Sequence, residues 1–241
     1  MEKIEMYNNT WRNNWNYTML QGLYNSSPNL NNVINKAKIK NKDLIIFDVG
    51  CNAGSFINFV ISKNLDIKTL YAFEPNNHLV NDFLINHYKS YDNIKIIEAG
   101  LGELEEVLEF HIPGRSPALG SLIDRQIFHR EDFQKEMVTV KVNVKTIDLF
   151  CEENGIDKID YIKIDTEGFE FNVLKGANRM LSEGNIMGGQ FEWGIEEGGN
   201  SLSDIINYLN NHGYIVEGSD GSIITHNKTP NNGQDLIFYK K

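Results

Sequence analysis

One stretch constrains this chain more than any other: Ile45-Ile46-Phe47-Asp48-Val49-Gly50-Cys51-Asn52-Ala53-Gly54. Leu44 to Phe47 are apolar without alternation, the pattern of a parallel strand covered on both faces. Gly50 and Gly54 then let the backbone turn tightly and pass close to a ligand, because neither carries a Cβ. Behind them Phe56, Ile57, Phe59, Val60 and Ile61 predict a largely buried helix. Strand, glycine turn and helix together make a nucleotide-type cradle, with helix-terminal N–H groups facing the ligand.

A dinucleotide fingerprint needs G-x-G-x-x-G. Here the order is Gly50-Cys51-Asn52-Ala53-Gly54-Ser55, so the second and third glycines are missing. The form D-x-G-x-N-x-G is similar instead to the first motif of S-adenosylmethionine methyltransferases. A tight turn that holds no ligand is the alternative at this point.

Length and charge narrow the field. A chain of 241 residues suits one α/β domain with small additions. Its formal charge of −10 argues against a nucleic-acid backbone as partner, which calls for clustered Lys and Arg. Cys51 and Cys151 lie far apart and no Cys/His metal spacing exists, so no zinc site is expected. Two thiols without a framework suit a reducing cytoplasm. No stretch approaches the length of a membrane span.

Residues 1–42 precede the cradle as an N-terminal helical extension. Met6, Trp11, Trp15, Met19 and Leu23 fall near one helical face, and Leu30, Val33, Ile34 and Ala37 form a second stripe. They serve either to dock this extension on the main domain or as a lid or acceptor-docking face. The main domain, residues 43–241, continues with a second strand, Thr69 to Phe73, ending at Glu74-Pro75-Asn76. Glu74 lies where nucleotide-binding βαβ units place an acid that accepts both ribose hydroxyls. A third strand, Ile94 to Glu98, ends in Ala99-Gly100, small enough to admit a flat base. Residues 103–145 then read as a β-rich insertion, with Val107 to Ile112 and Val138 to Val144 as strands. His111 reads as a strand surface residue, and Arg115 and Ser121 are candidate acceptor contacts on loops of this scaffold. Thr146 is placed to cap the next helix.

The second strong feature is Tyr161-Ile162-Lys163-Ile164-Asp165-Thr166-Glu167-Gly168-Phe169-Glu170. Lys163 interrupts an otherwise apolar central strand and needs a partner there. Asp165, two positions on, points to the same face. Clustered acids at the end of a parallel strand raise one another's proton affinity, which makes them candidate bases. A solvated helix N-terminus is the plain alternative, above all for Glu170. A fifth strand ends at Glu192-Trp193; if it neighbours the Asp165 strand, Glu192 falls across from Asp165. Gly194, Gly198 and Gly199 follow as a mobile rim, and His226 sits in an exposed connection between the last two strands.

Together Phe47 to Gly54, Ala72-Phe73-Glu74-Pro75, Gly120-Ser121-Leu122, Val144 to Asp148, Ile162 to Glu170 and Val173-Leu174-Lys175-Gly176-Ala177 resemble the FkbM-type methyltransferases. The Lys-Ile-Asp-x-Glu-Gly-x-Glu element and the Leu-Lys-Gly-Ala that follows are more specific than the glycine turn. Cys51 stands where that family often has a small residue. The resemblance implies a Rossmann-like class I methyltransferase fold: a mostly parallel central sheet with helices on both faces. It also implies S-adenosylmethionine as cofactor and methylation of a hydroxyl on a sugar, glycan or other small acceptor. The cofactor residues it implies are Asp48, Gly50, Asn52, Gly54, Glu74, Asn76, Ala99 and Gly100. The implied catalytic set is Asp165 as base or orienting residue, Glu167 and Glu192 helping, and Lys163 holding the carboxylates. Arg115, Ser121 and Glu170 are left to the acceptor. Asp165, Glu167 and Glu192 could alternatively hold Mg²⁺, a reading not favoured here. A nicotinamide-dependent oxidoreductase, disfavoured by the missing glycines, and a non-catalytic partner-binding protein of the same fold are the competing functions.

Overall fold

The computed structural model describes residues 27–114, 117–194, 201–218, 220–225 and 234–241. Helix α1 (Ser27–Lys36) leads into β1 (Leu44–Val49), the glycine turn, α2 (Ser55–Ile61) and β2 (Ile67–Phe73). Helix α3 covers residues 77–88 and carries a π-helical stretch at Val80–Leu84. Strand β3 (Ile94–Ile97) is followed by β4 (Gly100–Leu101), β5 (Glu106–Pro113) and β6 (Met137–Lys145). Then come α4 (Ile147–Glu153), β7 (Tyr161–Ile164), α5 (Glu170–Lys175), α6 (Asn178–Ser182) and β8 (Gly188–Trp193). Helix α7 (Leu202–Asn211), β9 (Tyr214–Glu217) and β10 (Gln234–Lys240) complete the order.

Seven strands form the main sheet in the order β3-β2-β1-β7-β8-β10-β9. Strands β3, β2, β1, β7 and β8 are parallel, and β10 runs antiparallel to both of its neighbours. The chain steps outward from β1 to β2 and β3, then returns to lay β7 on the other side of β1. That reversal opens a crevice beyond the carboxyl ends of β1 and β7, where open α/β sheets bind their ligands. Both faces are covered, which is why the central strands read as continuous apolar runs. Phe47, Val49, Ile162, Ile164 and Phe191 point to a core shared with Ile147, Phe150, Val173, Met180 and Ile205 of α4 to α7. Ile46, Leu70, Ala72 and Tyr161 point the other way, to Leu30 and Val33 of α1, Phe56 and Ile57 of α2 and Val80 and Leu84 of α3. The alternation of neighbours such as Ile46 and Phe47 follows from the pleat.

The insertion is a separate three-stranded sheet, order β4-β6-β5, with β5 and β6 antiparallel and β4 parallel to β6. Phe110, Ile112, Val138 and Val142 seat it on the second core. His111 lies on β5 with Nδ1 3.1 Å from Thr139 Oγ1, as a strand residue would. Thr146 caps α4 by accepting from Leu149 N at 3.1 Å. Ile61 departs from expectation: as the last residue of α2 it faces outward and is 36% exposed. The stripe Met6, Trp11, Trp15, Met19 and Leu23 lies outside the described residues, as do Arg115, Gly198, Gly199 and His226. Among the described residues no helix is long and apolar enough to cross a membrane.

Candidate active site

The turns after β1 and β7 touch. Asp165 N donates to Val49 O at 3.0 Å, continuing the ladder one step past the strands. Gly50 has φ +74°, and a Cβ there would sit 1.9 Å from Asp165 O. Only a residue without a side chain fits both demands. Each turn also holds a non-glycine residue in the left-handed region, Asn52 at φ +49° and Glu167 at φ +55°. Such residues persist only where their surroundings hold them, and they cluster at working sites.

A cavity opens over these turns, enclosing about 990 Å³ with its solvent-open mouth. Its first end is lined by Gly50, Asn52, Glu74, Asn76, Ala99 and Gly100. Glu74, at the tip of β2, accepts from Asn52 N through Oε2 and from Asn76 N through Oε1, both at 2.9 Å. Those bonds fix the loop yet leave lone pairs on each oxygen, since a carboxylate offers about four acceptor sites. Burial pushes the Glu74 carboxyl up to about 7, against the pull of those two backbone donors. Asn76 also caps α3, accepting from Leu79 N at 3.4 Å. Asn52 Oδ1 is buried with no protein partner. A buried acceptor left open on a cavity wall marks a place for a ligand donor.

The second end carries the acids. Asp165, Glu167 and Glu192 line it, and one oxygen from each lies within 4.8 Å of the others. Strand β8 does neighbour β7, which is what brings Glu192 across to Asp165. Glu192 is pushed up to about 8, first by burial and then by the charges of Asp165 and Glu167, and it shares a hydrogen bond with Asp165. Glu167 rises to about 7, again through burial and then Asp165, although the Arg125 guanidinium pairs with its carboxylate and opposes the rise. Lys163 is 3% exposed and sits beneath both turns. Its Nζ lies 3.1 Å from Asp165 Oδ2 and 3.4 Å from Asp48 Oδ1, and donates to Gly50 O at 3.3 Å. Asp48 is fully buried, and burial lifts its carboxyl to about 6 even with Lys163 beside it.

Four expected site residues prove to build the walls instead. Asp48 lies below the cradle as the counter-ion of Lys163 and does not line the cavity. Gly54 also stands off the cavity; its φ of +80° and missing Cβ make room for Tyr88, whose hydroxyl would be 2.2 Å from that Cβ. Ser121 is fully buried, donates to Glu167 O at 2.9 Å and accepts from Ile123 N at 3.2 Å, so its hydroxyl is committed to the Glu167 turn and not to an acceptor. Glu170 turns inward and ties the loop behind Asp165, its Oε1 accepting from Thr166 N, Thr166 Oγ1 and Gly168 N at 2.9–3.1 Å. Nothing in the sequence singles out Arg125: it stands 42 positions from Glu167 in an irregular loop.

Residues 48–216 match the family model described as the methyltransferase FkbM domain. Among relatives, the 2-O-methyltransferase NoeI of Sinorhizobium fredii (strain NGR234) is 22% identical over 201 residues, 78% of this chain and 82% of that protein. The hexuronic acid methyltransferase AglP of Haloferax volcanii is 25% identical over 157 residues, 64% of this chain and 59% of that protein. A crystal structure of methyltransferase FkbM from Methylobacillus flagellatus KT superposes with a TM-score of 0.52 at 18% identity. It covers 83% of this chain, which spans 44% of that longer one, and it supports the class I methyltransferase fold.

Proposed function

Because this chain belongs to the FkbM methyltransferase family, we propose that it uses S-adenosylmethionine to methylate a hydroxyl oxygen of a sugar or glycan. The observation that carries this reading is the joining of two unlike half-sites in one cavity: a ribose-type acceptor set at one end and a carboxylate cluster at the other. A relative named for 2-O-methylation supports the choice of an oxygen, and one named for hexuronic acid methylation the choice of a sugar.

The residues at the first end fit the cofactor. Glu74 has acceptor capacity left for two hydroxyls, the orphaned Asn52 Oδ1 calls for a donor, and Ala99 and Gly100 leave flat space. S-adenosylmethionine would supply there an activated methyl group whose sulfur leaves as a neutral thioether and needs no acid. The chain's own task is then to place the acceptor oxygen and receive its proton. Asp165, steadied by Lys163 at 3.1 Å, is the carboxylate assigned to orient that hydroxyl and take the proton. Glu192, largely protonated at neutral pH, donates to Asp165 and keeps it turned to the cavity. Positioning of this kind can supply about 7–11 kcal/mol, whereas a general base adds about 10²–10⁴-fold. Alignment therefore outweighs proton removal.

Asp165, Glu167 and Glu192 are also the set that could hold Mg²⁺. Arg125 and Lys163 already bring positive charge to Glu167 and Asp165, which weakens the need for a cation. The test is transfer of labelled methyl from S-adenosylmethionine to a panel of glycans, with EDTA added in parallel. Asp165→Asn is expected to lower kcat by about 10²–10⁴-fold while S-adenosylhomocysteine still binds. Full turnover by that variant would remove Asp165 from the chemistry, and loss of activity in EDTA restored by Mg²⁺ would favour the metal reading.

A further inference from the structure

We propose that Arg125, carried by the β-rich insertion, is a positioning residue for methyl transfer: with Ser121 it fastens the Glu167 turn so that the Glu167 carboxylate stays aimed into the cavity beside Asp165. The proposal rests on the methyl-transfer reading of this site and adds a residue that acts through another. Three observations carry it. Arg125 Nη1 pairs with Glu167 Oε2 where both side chains are largely covered, 15% and 20% exposed. The guanidinium lies 5.9 Å from the ring of Phe128, itself buried, so the insertion braces the arginine from behind. Ser121 grips the same residue through its carbonyl at 2.9 Å, and that residue holds a left-handed backbone unusual for a glutamate. One short segment of the insertion thus holds both the backbone and the carboxylate of Glu167.

The need for a clamp follows from the neighbours. Glu167 faces Asp165 just past the end of β7, Glu192 from β8, Glu170 from α5, and Arg125 and Ser121 from the insertion. Lys163 is engaged by Asp48 and Asp165. Without Arg125, the repulsion between Glu167 and Asp165 loses its local counter-charge. Glu167 then takes up a proton, and Glu192 loses the neighbouring charge that held its own.

The experiment is a carboxyl-carbon NMR titration of the full chain as wild type, Arg125→Ala and Arg125→Lys. Arg130→Ala serves as control, an exposed arginine of the same insertion paired with Asp132. Affinity for S-adenosylhomocysteine reports folding in each variant. The expected result is a Glu167 midpoint that rises in Arg125→Ala while the Glu192 midpoint falls, with cofactor-product affinity held within about threefold. Arg125→Lys, which keeps the charge and loses the planar fork, recovers most of both shifts. Arg130→Ala moves neither. In turnover, Arg125→Ala lowers kcat about 10–100-fold with an unchanged KM for the methyl donor. An unmoved Glu167 midpoint in Arg125→Ala overturns the proposal, as does parallel collapse of both midpoints with loss of product binding. Should Arg125→Ala fail to fold, Arg125→Gln, which keeps most of the side chain and loses its charge, decides: displacement of the Glu167 and Glu192 midpoints in opposite directions supports the clamp, and wild-type values overturn it. Failure of the wild type to bind S-adenosylhomocysteine would sink the methyltransferase reading instead, and the titration would still judge the clamp.

Discussion

Replacing Lys163 by Met keeps the buried stem and removes one charge from between Asp48, Asp165 and the Gly50 carbonyl. Breaking a buried ion pair by removing one partner usually costs about 3–5 kcal/mol, because the other charge is stranded. Asp48 has an escape that caps this loss. Its carboxyl already stands at about 6 with Lys163 present, so at pH 7 the neutral form lies only about 1 kcal/mol above the ionised one. Once the lysine is gone, Asp48 takes the proton, and its share of the loss cannot exceed about that figure. Asp165 is a third exposed, so water screens it and its share is about 0–1 kcal/mol. The expected total at pH 7 is therefore at most about 2 kcal/mol.

The Asp48 carboxyl also sets the pH dependence. The folded-state value of Asp48 is raised above its unfolded value, so its contribution favours folding at low pH and is lost as pH rises through about 6. In Lys163→Met the Asp48 share should shrink toward zero at pH 5. At pH 8.5 its ceiling rises to about 3 kcal/mol. Urea denaturation of both proteins at pH 5, 7 and 8.5, followed by far-ultraviolet circular dichroism, measures the difference. Adding Asp48→Asn should flatten the pH dependence between wild type and variant. A destabilisation of 4 kcal/mol or more that is equal at all three pH values would refute the reasoning, since it would mean that Asp48 stays charged.

Two further outcomes follow from the cavity walls. Glu74 stands near 7 in the free protein, and hydroxyl donors from a ligand would favour its ionised form, so affinity for S-adenosylhomocysteine should weaken as pH falls from 8 to 6 and binding at pH 6 should release a proton. Calorimetry in buffers of different ionisation enthalpy reads this directly, and a flat affinity would contradict the ribose role. Gly50→Ala should cost at least about 2 kcal/mol, from left-handed backbone and the displaced Asp165 carbonyl; wild-type stability in a urea titration would count against the close contact of the two turns.

The parts of the molecule that could be read from sequence are those whose cause is local. Leu44 to Val49 and Tyr161 to Ile164 announce themselves as covered strands because both faces of the sheet are buried. The place of Glu74 and Asp165 on the cavity wall is legible because ligands of open α/β sheets bind beyond the carboxyl ends of parallel strands. Other features depend on contacts far apart in the chain. Ser121 and Glu170 looked like acceptor contacts because they are polar beside the site, yet each spends its hydrogen bonds on a turn. Asp48 belongs to the motif but faces down to a lysine 115 positions away. Strand β4 has only two residues, too few to show any period, and exists because β6 pairs with it.

Gly50 resting against the Asp165 carbonyl has one more consequence. Donor and acceptor would rest on one shared floor, where the two turns meet backbone to backbone with no glycine side chain between to absorb a displacement. Filling one end of the cavity should therefore press on the floor of the other. The two substrates should sense each other's arrival without a hinge, a moving domain or any relay longer than a peptide group.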